Sequence, residues 1–91
     1  MRVDYTGPAR ADLDRIRDYL KERNPVAAKK LAALIRARVK LLKTQPLMGP
    51  AVAERPSTRE LVVSSYVLVY RVLDERIEIL RVWHGAQDRT T

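Results

Sequence analysis

Five side chains in the last third of the chain could do chemistry: Arg59, Arg71, Arg81, the only histidine (His84) and Arg89. Histidine is the side chain whose ordinary titration range spans neutral pH, so His84 could act as a general acid or base. Guanidinium groups on either side of it could hold a phosphate through a phosphorane-like transition state. Metal-free RNA cleavage is therefore the one catalytic reaction these residues permit, with His84 as acid or base, Arg59, Arg81 and Arg89 on phosphate, and Tyr70 stacked on a base. A plainer account stands beside it. Trp83-His84-Gly85 also describes a strand running into a turn, and Arg71 and Arg81 inside strands are expected to pair with Glu60 or Glu78 across a sheet.

Other chemistries are poorly supplied. The chain has no cysteine and one histidine, which leaves no thiolate or paired-imidazole metal site. Its three glycines, at 7, 49 and 85, form no phosphate-cradling cluster. No cofactor is expected.

The elements that must position these residues can be read from periodicity. Apolar runs at Leu61–Val63, Tyr66–Leu73 and Ile77–Trp83 are separated by Ser64-Ser65 and Asp74-Glu75, the pattern of a three-strand meander. Arg2–Thr6 reads as a short first strand. Pro8 then suits a first helical turn, and Ala9, Leu13, Ile16 and Leu20 recur at helical spacing. Asn24-Pro25 is a cap followed by a first-turn proline, so a second helix begins there. On it Ala28, Leu31, Leu34, Ile35, Val39, Leu41 and Leu42 cover an arc of about 180°, wider than one packing contact needs. Lys29, Arg36, Lys40 and Lys43 cluster opposite, and Arg38 falls inside the apolar arc, where it snorkels at the core edge or finds a partner. Residues 44–57, with Pro46, Gly49, Pro50 and Pro56, are expected to be a loop.

Ninety-one residues, 46% hydrophobic, make one domain spanning 1–91 with a thin core. The expected class is α+β: a small antiparallel sheet packed on an N-terminal helical hairpin, in the order β-α-α-β-β-β. The strand at Tyr66–Leu73 is apolar on both faces and belongs at the sheet centre. Two helices cover one face, so the second is covered either by the chain itself or by a partner. The net charge of +7 is uneven, because residues 25–53 hold six cations and no acid. Such a block attracts nucleic acid or acidic protein. No long apolar run or signal peptide is present, which predicts a cytoplasmic protein without membrane association.

The chain resembles the RelE/ParE superfamily of bacterial type II toxins. The resemblance is carried by PARADLDRIRDYL and NPVAAKKLAALI in the hairpin, by QPLMGP, and above all by TRELVV, YVLVYRV and ILRVWHGAQDR. It implies a cognate antitoxin as partner, a hetero-oligomer with it, and growth arrest when the toxin is free. Antitoxin contacts are then expected along the hairpin at Leu13, Ile16, Leu20, Leu31, Leu34, Arg38 and Leu41. RelE-like members cut messenger RNA on the ribosome, whereas ParE-like members poison DNA gyrase. The cutters carry basic residues on the strand faces and a tyrosine near the C-terminus. Here Val67 follows Tyr66, Gln87 lies after the last strand, and no tyrosine follows Tyr70; only Arg59 keeps the matching chemistry, although several cutters use a histidine placed as His84 is. The resemblance thus favours a ParE-like gyrase inhibitor whose target-binding residues include Arg81, His84 and Arg89, with ribosome-dependent cleavage of mRNA as the alternative. A third reading, an interaction module without toxicity, predicts no growth arrest.

Overall fold

The computed structural model describes residues 1–85, apart from the side chain of Pro56. Strand β1 (Arg2–Tyr5) leads into helix α1 (Gly7–Arg23), helix α2 (Pro25–Leu42), a two-residue strand β2 (Ala51–Val52), and the meander β3 (Arg55–Val63), β4 (Tyr66–Val72) and β5 (Arg76–His84). The five strands form one sheet in the order β1-β5-β4-β3-β2. This is the expected α+β fold.

Local chemistry accounts for the element boundaries. The Thr6 hydroxyl caps α1 by accepting from the Ala9 N–H at 3.2 Å, and Pro8 occupies the first turn, where its missing donor costs nothing. Asn24 ends α1 and starts α2: its N–H donates to the Leu20 carbonyl, and its Oδ1 accepts from the Ala27 N–H at 3.1 Å. The β3–β4 hairpin closes on Ser64-Ser65, with Val63 opposite Tyr66 and Ser64 at a left-handed φ of 58°.

Two features differ from the reading by periodicity. β1 pairs parallel to β5, Val3 beside Ile77 and Tyr5 beside Ile79, so the sheet is mixed at that edge. Alternation places Val3 and Tyr5 on a face and says nothing about strand direction. The region read as a loop also contains β2 and the start of β3. Pro56 is tolerated there because the β3–β4 ladder begins only at Thr58, so its missing N–H interrupts no bond to the central strand.

Both helices lie on one face of the sheet. Leu31, Ile35, Val39 and Leu42 of α2 and Ala9 of α1 pack on Leu61, Val63, Leu68, Tyr70, Ile77, Ile79 and Val82. Strand β4 is central, as expected. On the opposite face Val67 and Val69 are also buried, each between cross-strand neighbours: Val62 and Trp83 flank Val67, and Glu60 and Arg81 flank Val69. That face covers its centre with its own side chains, whereas Val62 stays 63% exposed.

Candidate interaction surfaces

Strand β1 stops at Tyr5, so beyond Ile79 the outer edge of β5 has no neighbouring strand. The start of α1 takes over. Thr6 donates from its N–H and its Oγ1 to the Ile79 carbonyl, both at 3.1 Å, and Oγ1 also reaches the Leu80 carbonyl. Further along α1, Asp12 accepts from the Val82 N–H at 2.9 Å. The same carboxylate receives Arg81 in a two-pronged contact, Nε to Oδ2 at 2.7 Å and Nη2 to Oδ1 at 3.0 Å, and Arg15 Nη2 at 2.7 Å. Asp12 is only 1% exposed. Burial by itself raises its pKa, but the Arg81, Val82 and Arg15 hydrogen bonds outweigh burial and hold it below the usual carboxylate range. Reciprocally, the hydrogen bond to Asp12 raises Arg81 above its ordinary value.

Arg81 therefore meets a partner that periodicity did not name. It pairs neither with Glu60 nor with Glu78, because the register slips between Val69 and Tyr70 and the β5 bulge brings its guanidinium to α1. The guanidinium also lies over the Trp83 ring, 4.8 Å from its centroid. Arg71 does pair as expected, with Nε 2.6 Å from Glu78 Oε1 in the adjacent register position.

Arg59 and Tyr70 organise the proline-glycine loop. Arg59 Nη1 donates to the carbonyls of Gly49 at 2.8 Å and Leu47 at 3.3 Å. The Tyr70 hydroxyl donates to the Pro46 carbonyl at 2.9 Å and accepts from the Gly49 N–H at 3.0 Å. Tyr70 is fully buried, so it is core and not a stacking platform for a base. Glycine is required at 49, since a Cβ there would stand 2.7 Å from the Glu60 carbonyl oxygen and 2.9 Å from the Tyr70 hydroxyl.

His84 ends β5 in an exposed position, edge-on to Tyr66 with ring centroids 5.1 Å apart. The pair forms one wall of an open groove of about 800 Å3, whose other walls are Ser64-Ser65, Arg15, Ile16 and Leu20 of α1, and Lys30, Leu31 and Leu34 of α2. A second cleft of about 230 Å3 opens on the other side of the hairpin, lined by Leu13, Ile16, Leu20, Leu31 and Ile35.

Of the residues singled out along the hairpin, Ile16, Leu20 and Leu31 line both openings, Leu13 the smaller and Leu34 the larger. Leu31 belongs largely to the core. Leu34 and Leu41 are each 44% exposed, while Arg38 is exposed and, like Leu41, lines neither opening. The proposed acid–base set is not drawn together. Arg59 faces Tyr70 and His84 faces Tyr66, four residues apart on β4 or about 13 Å at strand rise. Arg89 lies outside the described residues.

Reasoning from periodicity passed over Asp12 and Thr6. The signal was present: Asp12 sits in the apolar stripe of α1 between Ala9 and Ile16, where a carboxylate must find partners. Among the described residues no group of three His, Cys, Asp or Glu could hold a metal ion. No helix is long and apolar enough to cross a membrane.

Residues 3–89 match the family described as the ParE toxin of the type II toxin–antitoxin system parDE. Toxin RelE1 of Caulobacter vibrioides is 36% identical over 85 residues, covering 89% of each chain. Toxin RelE2 of the same organism is 36% identical over 87 residues, covering 94% of this chain and 97% of its own. Among solved structures, the chromosomal ParDE toxin–antitoxin system from P. aeruginosa superposes with a TM-score of 0.76 at 30% identity, covering 92% of this chain and 95% of that one. The RelBE2 toxin–antitoxin complex from Mycobacterium tuberculosis gives 0.66 at 30% identity, covering 91% and 95%. With the hairpin, the sheet and the matched length in agreement, this chain belongs to the ParE toxin family of type II toxin–antitoxin systems.

Proposed function

We propose that this toxin is a ParE-like inhibitor of DNA gyrase that arrests growth in the cytoplasm through macromolecular contacts, and that a cognate antitoxin neutralises it in a hetero-oligomer. The observation that carries this reading is the dispersal of the cutting set. Arg59 is engaged with loop carbonyls and Arg81 with buried Asp12, while His84 stands about four strand positions from Arg59. A scissile phosphate beside His84 would not meet either guanidinium in these positions. The end of β5 with Arg81 and His84, or the basic face of α2, serves as the target surface instead, with Arg89 of the following sequence as a further target-binding residue. The family match supports a type II toxin, and because the similar proteins include both RelE toxins and a ParDE system, the choice of target rests on the geometry.

The antitoxin reading rests on the openings flanking the hairpin. An amphipathic segment laid there would cover Leu13, Ile16, Leu20 and Leu34, with Arg38 and Leu41 continuing the surface along α2. Among the solved structures to which the chain is similar are a ParDE toxin–antitoxin system and a RelBE2 toxin–antitoxin complex.

One observation favours the ribosome-dependent nuclease: His84 is exposed on a groove that Arg15 and Lys30 also line. Purified toxin distinguishes the two. Inhibition of supercoiling with trapped cleaved plasmid is the expected result. Cleavage of ribosome-bound message without an effect on gyrase reverses the ranking, and in that case His84→Gln abolishes cutting while the fold persists.

A further inference from the structure

The arginines and lysines of this chain fall into two populations. Those of α1 and the sheet are largely paired: Arg2, Arg15, Arg17, Arg71, Arg76 and Arg81 each meet a carboxylate. The six cations of α2 and its C-cap are different: Lys30 and Arg38 flank the exposed leucines of the helix, and the other four form a row of their own. Lys29, Arg36, Lys40 and Lys43 are all exposed, and none forms an ion pair among the described residues. Asp14, which lines the smaller cleft together with Arg36, is itself held by Arg17 at 3.3 Å.

Their spacing makes a straight row. At 100° per residue these four side chains fall within about 60° of arc and extend over about 21 Å of helix. The buried stripe of Leu31, Ile35, Val39 and Leu42 lies about 115° to one side. The exposed leucines, Leu34 and Leu41, lie about 140° to the other. Helix α2 thus carries three faces, and the one formed by these four cations has no large apolar side chain, whereas Lys30 and Arg38 share theirs with Leu34 and Leu41. Exposed Ala32 and Ala33 fill the interval between Lys29 and Arg36 and leave room for a surface to approach.

We infer that this row is a docking surface for the phosphate backbone of duplex DNA, separate from the apolar openings of the hairpin. Charge complementarity supplies the attraction: over about 21 Å a duplex presents roughly a dozen phosphate charges, one per about 1.7 Å of axis. A rigid helix holds the four cations in line with them. An acidic amphipathic peptide needs apolar anchors beside its ion pairs, and those lie on another face. A single strand needs stacking platforms, and α2 has no aromatic residue. Duplex DNA needs only the row. The inference is independent of whether gyrase is the target, because it concerns binding to DNA alone.

The test is fluorescence anisotropy of a short labelled duplex of arbitrary sequence, titrated with the purified chain at several salt concentrations. Four phosphate contacts predict a log–log salt slope of about −3.6, equivalent to about a hundredfold loss of affinity between 50 and 200 mM salt. Arg36→Gln with Lys40→Gln should reduce the slope to about −1.8. The control, Lys21→Gln with Arg55→Gln, removes the same charge from exposed sites elsewhere and should leave the slope unchanged. Circular dichroism melts of all variants establish that the fold is intact. Equal losses in both double variants overturn the inference, since net charge alone would then account for binding. Tighter binding of single-stranded RNA or of polyglutamate than of duplex overturns it as well, as does a salt-independent affinity.

Discussion

At the scale of single residues, Asp12 does more than any other side chain to join the two halves of the molecule. One carboxylate satisfies the β5 edge at Val82, fixes Arg81 and draws in Arg15. Removing one member of a buried, hydrogen-bonded charge cluster leaves the others without compensation, a loss of about 3 kcal/mol. Asp12→Ala should therefore lower the urea midpoint steeply. Arg81→Ala should cost less, because the Arg81 side chain is 42% exposed and Asp12 keeps Arg15 and the Val82 N–H. A pH dependence follows with a definite sign. The folded-state pKa of Asp12 is lowered, so its contribution is complete above the ordinary carboxylate range and is lost as pH falls through its folded value. Glu78 is lowered too, chiefly by its hydrogen bond from Arg71, and acts in the same direction. Denaturation midpoints measured from neutral pH downward should fall for the parent below about pH 4, and the fall should be shallower for Asp12→Asn.

At the scale of elements, the proline-glycine loop is a structured connection tied to β3 by Arg59 and to β4 by the Tyr70 hydroxyl. Gly49→Ala drives a methyl group against the Glu60 carbonyl oxygen, where the nearest atom is backbone and cannot swing away. The expected cost is about 1–3 kcal/mol. Tyr70→Phe removes one donor and one acceptor while keeping the ring in the core, so about 1–2 kcal/mol is lost. Equilibrium unfolding checks both. A Tyr70→Phe variant as stable as the parent would mean that the loop does not depend on this hydroxyl.

At the scale of the whole molecule, the thin core leaves apolar surface that the chain does not cover. Leu34 and Leu41 are a little more than half buried, so replacing both by serine should lower the unfolding free energy by roughly 1–3 kcal/mol, from the buried part of each side chain and serine's poorer helix propensity. On the proposed function the same double variant weakens antitoxin binding by roughly threefold to tenfold per leucine, the worth of burying the part of each side chain that the free toxin exposes. Calorimetric titration with the antitoxin measures this, and an unchanged affinity would move the antitoxin off this face of α2.

Much of the architecture was legible in the residues alone. The start of α1 at Gly7-Pro8, the cap at Asn24-Pro25, the helical stripes, the meander and the central place of β4 all follow from interactions a few residues apart, which spacing records. The uneven charge of α2 was equally plain. What spacing does not record is which distant groups meet. The parallel docking of β1, the closing of the β5 edge by Thr6 and Asp12, and the engagement of Arg59 with Gly49 depend on contacts between residues 10 to more than 70 positions apart. Those contacts turned two arginines that looked available for phosphate into anchors of a helix and a loop, because a guanidinium takes the nearest well-oriented oxygen and only the folded chain decides which that is.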